Sequence, residues 1–328
     1  MTNIGIIGAG RIGYVHAKTI GSIADANLVL VSDVNEDAAK ALAEKYGARY
    51  TTRAEDVFAD KEVEAIIICS PTPLHVEHIV AAAKAGKPAL CEKPLAMEVE
   101  SVAKLKEQLK GLNPTVMLGF NRRFDPNFAK IKKLVDEGKI GPLEQLTIIS
   151  RDPAAPPKEY IAVSGGIFKD MTIHDFDMAH YFLGDVATVT TIGQNLDPDL
   201  DDTGDYDAAV ILLTNKAGKV ATIINSRHCA TGYDQRLEAF GPKGSLFAEN
   251  QRETTVRAYT AEYSDAQEPF QDFFLTRYAT AYADELRTFL KAVKEGKELQ
   301  PSIEAGEVAL RIAEAALESA KTGKTVKL

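Results

Sequence analysis

The chain has 328 residues, of which 45% are hydrophobic and 26% charged, and its formal net charge at pH 7 is −9. This length allows two domains with a sizeable core. The acidic balance and the lack of any basic block argue against a nucleic-acid partner. No apolar run approaches the roughly 18 residues of a membrane helix, so we expect no membrane partner. Residues 1–10 already have the pattern of a strand and a turn, so we expect no signal peptide.

The 3 cysteines are widely spaced and form no CxxC pair. Cys69, Cys91 and Cys229 therefore fit a reducing, cytoplasmic environment, where we expect them to behave as small buried hydrophobic residues.

The chain begins with features of a dinucleotide-binding fold. The apolar run Asn3–Ile7 leads into the glycine-rich loop GAGRIG, which opens a helical pattern. Such a loop brings a pyrophosphate close to the free N–H groups of a helix N-terminus. The next strand, Leu28–Ser32, ends at Asp33, where a carboxylate can accept from the adenosine ribose hydroxyls. No Arg or Lys follows to hold a 2′-phosphate, so the pattern predicts NAD rather than NADP; the alternative is that Asp33 only caps the next helix.

Short apolar strands continue to alternate with helices up to about residue 121. The strands are Val63–Cys69, Pro88–Cys91 and Thr115–Gly119. This rhythm predicts a parallel, doubly wound α/β sheet, with ligands beyond the carboxyl ends of its strands.

The rhythm changes from about residue 122. A helix (Asn127–Asp136), a strand (Leu143–Arg151) and a proline-rich loop precede a helix over Gly165–Gly184, and mostly strands follow as far as Thr254–Tyr259. We predict an α+β domain with a large open, predominantly antiparallel sheet. The predicted boundaries are 1–121 and 122–328, with the option that the last helices pack on the first domain. Too few helices cover this sheet, so a partner subunit is the expected cover.

The predicted helix Gly165–Gly184 carries the most distinctive pattern. On a regular helix Asp170, His174, Asp177 and Tyr181 fall within a roughly 60° arc, and Asp170 can hold the His174 ring in one tautomer. The alternative is a solvated polar face. Asp175 projects into the apolar stripe instead, so it needs a hydrogen-bond partner if that stripe is buried.

Two metal hypotheses arise from the acidic residues. Asp170, His174 and Asp177 could ligate a metal ion, but hydride transfer needs none, and insensitivity to chelators would separate the two ideas. The loop from Asp197 to Asp207 holds six aspartates but lacks the glycine at position 6 and the glutamate at position 12 of an EF-hand calcium loop, so we interpret it as a solvated connection. We expect no metal ion.

With GAGRIG, CEKP (91–94), GFNRRFD (119–125) and GGIFKDMTIHDFD (165–177) in view, the chain resembles the glucose–fructose oxidoreductase/inositol dehydrogenase/rhizopine-catabolism family over essentially its whole length. Among its members it is most similar to those that oxidise inositol with NAD. The resemblance implies a Rossmann domain, an open-faced sheet domain and homotetramers packed through those sheets. It implies oxidation of myo-inositol to 2-keto-myo-inositol (scyllo-inosose).

The resemblance also implies site residues. Lys93, Asp170 and His174 match the family's catalytic lysine, aspartate and histidine. The expected cofactor contacts are Gly8, Gly10, Arg11, Ile12, Asp33, Ser70, Thr72, His75, Glu92, Lys93 and Arg122. The expected substrate contacts are Lys93, Arg122, Asp152, Asp170, His174 and Tyr233. Ser150 stands where some inositol dehydrogenases have a histidine, which leaves the preferred stereoisomer open.

In the implied mechanism His174 takes the hydroxyl proton and Lys93 donates to the same oxygen. Asp170 either orients His174 or holds an adjacent hydroxyl. Two alternatives remain: a dehydrogenase of the same family for another polyol or aldose, and a dinucleotide-sensing regulatory protein without catalysis.

Overall fold

The computed structural model describes every residue from Met1 to Leu328 and divides into two compact units. The first comprises Met1–Phe124 and Thr280–Leu310, and the second comprises Asp125–Ala279 and Arg311–Leu328. The helices are α1 Arg11–Gly21, α2 Glu36–Tyr46, α3 Ala54–Ala59, α4 His75–Lys84, α5 Val99–Gln108, α6 Pro126–Asp136, α7 Lys158–Ser164, α8 Gly166–Asp170, α9 Ile173–Leu183, α10 Phe274–Arg277, α11 Ala279–Glu295 and α12 Ile303–Thr322. The strands are β1 Thr2–Ile7, β2 Ala26–Ser32, β3 Arg49–Thr51, β4 Ala65–Ile68, β5 Ala89–Glu92, β6 Val116–Gly119, β7 Gln145–Arg151, β8 Val186–Gln194, β9 Ala208–Asn215, β10 Val220–Ser226, β11 Asp234–Gly241, β12 Gly244–Ala248, β13 Arg257–Ala258, β14 Ala266–Gln267 and β15 Val326–Lys327.

The first unit contains a six-stranded parallel sheet in the order β3-β2-β1-β4-β5-β6. Every residue of β4, β5 and β6 is buried, as expected for strands of a parallel sheet with both faces covered. The predicted doubly wound fold is thereby confirmed. Strand β3 was not predicted, because its three residues, Arg49–Thr51, are largely exposed and form no apolar run.

The second unit contains a seven-stranded sheet in the order β12-β11-β7-β10-β9-β8-β15. Its neighbouring strands are antiparallel except for β7 and β10, which run parallel. Burial alternates along β7 and β10, so one face of the sheet is packed, and α9 lies against these two strands. The predicted, predominantly antiparallel sheet is therefore confirmed.

One strand was predicted in the wrong sheet. The segment predicted as Thr254–Tyr259 forms only β13, which pairs with β14 in a separate two-stranded sheet. Val256 and Tyr259 are 66% and 69% exposed, so this segment has no buried face to pack on the larger sheet.

The prediction of one continuous helix over Gly165–Gly184 was also wrong. The chain forms α8 and α9, with a break at Met171 and Thr172. The N–H groups of both residues donate to the Ile167 carbonyl, at 3.0 and 2.9 Å, which closes α8 tightly instead of extending it. The break places Asp170 on α8, whereas His174, Asp177 and Tyr181 stay together on α9. Asp177 is buried, at only 1% exposed.

None of the helices combines the length and the apolar character that crossing a lipid bilayer would require.

Candidate active site

The glycine-rich loop of the first unit has the shape of a phosphate cradle. Gly8 has φ +104°, and a Cβ there would lie 2.4 Å from the Cys69 carbonyl oxygen. A Cβ at Gly13 would lie 2.1 Å from the Gly8 oxygen, so both positions require glycine. At Gly10, the N-cap of α1, a Cβ would meet no atom within 4 Å, and no side chain caps the helix. The N-terminus of α1 therefore faces open space suited to the pyrophosphate of a dinucleotide.

Asp33 joins the end of β2 to this loop. Its Oδ2 accepts from the Ala9 N–H at 2.7 Å, and its Oδ1 accepts from the Asn35 N–H at 2.8 Å. The cap of α2 is Asn35, whose side chain accepts from the Ala38 N–H, so the alternative that Asp33 caps this helix is wrong. Each carboxylate oxygen can accept a further hydrogen bond, so the group fits a ribose hydroxyl as well.

The backbone around Lys93 is held from both sides. Before it, Glu92 hydrogen-bonds through Oε1 with His16 Nε2 at 2.7 Å, and its Oε2 accepts from the Lys93 N–H at 3.3 Å. After it, the Pro94 carbonyl hydrogen-bonds with His75 Nδ1 at 2.8 Å. Lys93 thus projects from a fixed loop at the carboxyl end of β5.

The structure gives Glu92 and His75 supporting positions beneath this loop. Glu92 is buried against His16, and His75 also hydrogen-bonds through Nε2 with the Ser70 carbonyl at 2.9 Å. Both ring nitrogens of His75 are thus engaged by backbone, and burial lowers its pKa. These two side chains link the ligand-side loops to one another rather than reaching outward.

Glu285 of α11 is a further acid buried in the first unit. It is 0% exposed, and burial, followed by the negative charge of Glu92, raises its pKa well above the usual range for a carboxyl. Burial likewise raises the pKa of the Cys69 and Cys91 thiols, which makes both poor nucleophiles. The expectation of burial is confirmed for these two cysteines and is wrong for Cys229, which is only partly buried.

In the second unit the side chain of Asn225 hydrogen-bonds with residues on both sides of His174, and we call this set of contacts the Asn225 hub. Thr172 Oγ1 donates to Asn225 Oδ1 at 2.7 Å, and Asn225 Nδ2 donates to Asp175 Oδ2 at 2.9 Å. The same Nδ2 reaches the Ser150 carbonyl at 3.3 Å on the neighbouring strand. Residues on either side of His174 are therefore tied to β10, which fixes the start of α9. Asn225 also supplies the partner that the buried Asp175 requires.

Asp170 is the last residue of α8, and its Oδ1 accepts from the Tyr160 hydroxyl at 3.0 Å. The start of α8 is anchored by Asp205, which accepts from the Ile167 N–H at 3.0 Å and from the Arg227 Nη1 at 2.7 Å. Asp207 is only 2% exposed. The interpretation of the loop 197–207 as solvated is therefore wrong at Asp205 and Asp207, which organise the backbone around them.

The remaining predicted residues lie in fixed surroundings. In the first unit Ser70 Oγ hydrogen-bonds with His78 Nδ1 at 2.9 Å, Thr72 opens a 3-10 turn, and Arg122 is only 3% exposed. In the second unit Asp152 follows β7, and its N–H donates to the Ser226 carbonyl at 2.9 Å. The Tyr233 ring packs edge-on against Phe273 and Tyr278.

Several supporting residues were not found from the sequence: His16, Tyr160, Asp205, Asn225 and Arg227. His16 had one available signal, because it follows the last glycine of GAGRIG by three residues and so returns to the same side of α1. The other four have no local signal. Tyr160 reaches Asp170 only because the chain turns sharply between two helices, and the partners of the remaining three come from distant parts of the chain.

Two domain models of one protein family match most of the chain. The NAD-binding Rossmann domain of the Gfo/Idh/MocA oxidoreductase family matches residues 2–120, and the C-terminal alpha/beta domain of the same family matches residues 132–328. The chain belongs to this family. It is an oxidoreductase, and its cofactor is NAD.

Individual relatives cover the whole chain. A myo-inositol 2-dehydrogenase from Thermotoga maritima is 46% identical over 99% of this chain and 98% of its own. The crystal structure of a myo-inositol dehydrogenase from Corynebacterium glutamicum is 48% identical and superposes with a TM-score of 0.97 over 100% of this chain and 99% of that one. A scyllo-inositol dehydrogenase from Lactobacillus casei, solved with NAD(H) and scyllo-inositol, is 29% identical with a TM-score of 0.91 over 100% and 99% of the two chains.

Proposed function

We propose that this oxidoreductase is an inositol 2-dehydrogenase that oxidises myo-inositol to 2-keto-myo-inositol (scyllo-inosose). The observation that carries the proposal is the full-length similarity, at 46–48% identity, to proteins named for myo-inositol oxidation. The side chains assigned to the substrate support it. Four of them offer hydrogen bonds: Asp152, Asp170, His174 and Tyr233. The two cations, Lys93 and Arg122, are not the bidentate arginine pair that a phosphorylated or carboxylated substrate would call for, so the set suits a neutral polyol.

In the proposed mechanism His174 accepts the proton of the reacting hydroxyl, and Lys93 donates a hydrogen bond to the same oxygen. NAD, when bound, supplies the hydride acceptor. Asp170 holds a hydroxyl beside the reacting carbon. Lys93 stands on the pinned loop after β5, and the Asn225 hub fixes the start of the helix that carries His174, so both groups are ordered before substrate arrives.

A substrate panel tests this function. We expect NAD reduction, followed by absorbance at 340 nm, to have its highest kcat/KM with myo-inositol, and weaker rates with scyllo-inositol, other isomers and glucose-like pyranoses. Deoxy analogues should be rejected, because each missing hydroxyl leaves a buried polar partner unpaired, at about 1–3 kcal/mol. A preference for scyllo-inositol would favour the second candidate function, for which the Lactobacillus casei relative provides the precedent. Activity that required a metal ion would contradict the proposed mechanism.

We also propose that the protein is a homotetramer packed through the open face of the seven-stranded sheet. This face carries large apolar side chains that are 41–68% exposed: Ile192, Val210, Leu212, Phe240 and Phe247. The strand register places them on one side, since Ile192 pairs with Val210, and the row through Leu212 reaches Phe247 across the sheet. An apolar face of this kind is typical of a subunit interface. We also propose a cytoplasmic location, which the three unpaired cysteines support.

The substitution Leu212→Asp tests the assembly, because it places a charge in the middle of the proposed interface. We expect light scattering to give a mass near four times the 35.6 kDa of one chain for the unmodified protein, and a smaller mass for the variant. Val256→Asp is the matched control: Val256 is 66% exposed but lies outside this sheet. A monomer mass for the unmodified protein across micromolar concentrations would contradict the assembly.

A further inference from the structure

The side chain of Tyr160 is placed for a polar role rather than for packing. Tyr160 lies on α7 and remains 48% exposed, and its hydroxyl donates to Asp170 Oδ1 at 3.0 Å. A half-exposed ring contributes little to a core. Tyr160 instead supplies a phenol hydroxyl, which hydrogen-bonds with the Asp170 carboxylate assigned to the substrate. This hydroxyl comes from the short helix α7, whereas Asp170 lies on α8.

The backbone between the two helices brings Tyr160 back toward Asp170. Gly165 ends α7 and begins α8 with φ +84°, and Gly166 follows with φ +78°. Two consecutive residues in the left-handed region turn the chain sharply, so that α7 folds back toward α8. A Cβ at Gly166 would lie 2.6 Å from Asp205 Oδ1, so this position accepts only glycine.

Beyond the glycine pair, α8 is fixed. The Ile167 N–H donates to both oxygens of Asp205, at 3.1 and 3.0 Å, and the fully buried Arg227 holds that carboxylate. The Asp170 backbone is therefore placed by the body of the unit, and the hydrogen bond from the Tyr160 hydroxyl on α7 restrains the rotation of its carboxylate. Helix and hydroxyl together define the direction in which the carboxylate can receive a ligand.

We propose that Tyr160 is a positioning residue that orients the Asp170 carboxylate for the polyol substrate. This inference rests on the proposed function, in which Asp170 holds a substrate hydroxyl. A carboxylate held by a donor on one oxygen has lost rotational freedom before the substrate binds, so less entropy is lost on binding. Tyr160 therefore contributes to polyol affinity and not to the affinity for NAD.

The substitution Tyr160→Phe removes only the hydroxyl. We expect it to raise the KM for the polyol about three- to tenfold, the value of one hydrogen bond to a charged group at a half-exposed site. The KM for NAD and the melting temperature should not change. Tyr259→Phe is the matched control, because the Tyr259 hydroxyl likewise donates to an aspartate, Asp265 Oδ1, at 3.1 Å, in the connection between β13 and β14.

A double-mutant cycle shows whether the effect passes through Asp170. Calorimetric titration of the polyol into the enzyme saturated with NADH measures binding without turnover. Tyr160→Phe should weaken polyol binding in the unmodified enzyme but have no further effect in the Asp170→Ala variant. An equal loss in both backgrounds, or no loss in either, would overturn the proposal.

The titrations use the polyol that gives the highest kcat/KM in the substrate panel. If that polyol is not myo-inositol, the proposed function fails, while the cycle still decides the role of Tyr160.

Discussion

Replacing His174 by asparagine is expected to lower kcat for inositol oxidation about 10²–10⁴-fold, the usual contribution of a positioned general base. The amide of asparagine can occupy part of the imidazole volume and can hydrogen-bond, but it cannot accept a proton near neutral pH. The Asn225 hub bonds Thr172 and Asp175, on either side of His174, and not the His174 side chain itself, so it should hold α9 in place in the variant. The affinity for NADH, measured by fluorescence titration, should change little, because the cofactor residues belong to the first unit.

His180→Asn is the control for this experiment. His180 lies at the other end of α9 and hydrogen-bonds with the Gly184 carbonyl at 3.2 Å. It has no proposed role in catalysis, so its substitution should leave turnover close to that of the unmodified enzyme. If His174→Asn also kept near-full turnover on the best substrate, the proton acceptor would have to be a different residue.

Changing Asp33 to serine together with Val34 to arginine is expected to shift the ratio of kcat/KM for NAD and NADP by about 10²–10³ toward NADP. The first change removes a carboxylate that repels a 2′-phosphate. The second adds a cation at a position that is 91% exposed, where a long side chain can extend without displacing the core. Initial rates with both dinucleotides at saturating polyol measure the ratio.

The two hydrogen bonds of Asp33 to backbone N–H groups require a second variant. Serine weakens the link to Ala9 as well as removing the charge, so a loss of NAD activity alone would be ambiguous. Asp33→Asn keeps an acceptor oxygen but not the charge, and should relax the preference for NAD without a large loss of stability. Equal or better efficiency of the unmodified enzyme with NADP would contradict the role assigned to Asp33.

The parts of the fold that were predictable have local patterns. One sheet is covered on both faces, as the apolar strands β4 and β5 indicate. The other sheet is covered on one face, as the alternating pattern of β10 indicates. The spacing of the glycines in GAGRIG and the position of Asp33 directly after β2 likewise predict the dinucleotide-binding loop. The catalytic roles came from a resemblance to a family, because the spacing that singles out Asp170 and His174 is equally compatible with a solvated polar face.

The parts that were missed depend on contacts between distant residues. Thr172 and Asn225 are 53 residues apart in the chain, and their hydrogen bond helps to end one helix and begin another inside what looks like a single periodic segment. Hydrophobic periodicity continues across that break, since Phe168, Met171 and Met178 are all buried. A pattern of burial therefore cannot show where the helix is interrupted, and the interruption places Asp170 and His174 on separate elements.

Two neighbouring residues of β10 lie on opposite faces of the seven-stranded sheet and have different roles. Ile224 lies on the open face of the sheet, opposite Val210 and Ile149, and the next residue, Asn225, turns to the packed face and holds the start of α9. In the proposed tetramer, β10 would thus contact a neighbouring subunit through one face of the sheet and α9, which carries His174, through the other. A densely packed sheet transmits small displacements. The oligomeric state would then affect turnover. Dilution that separates the subunits would also make the start of α9, and with it the position of His174, less well fixed.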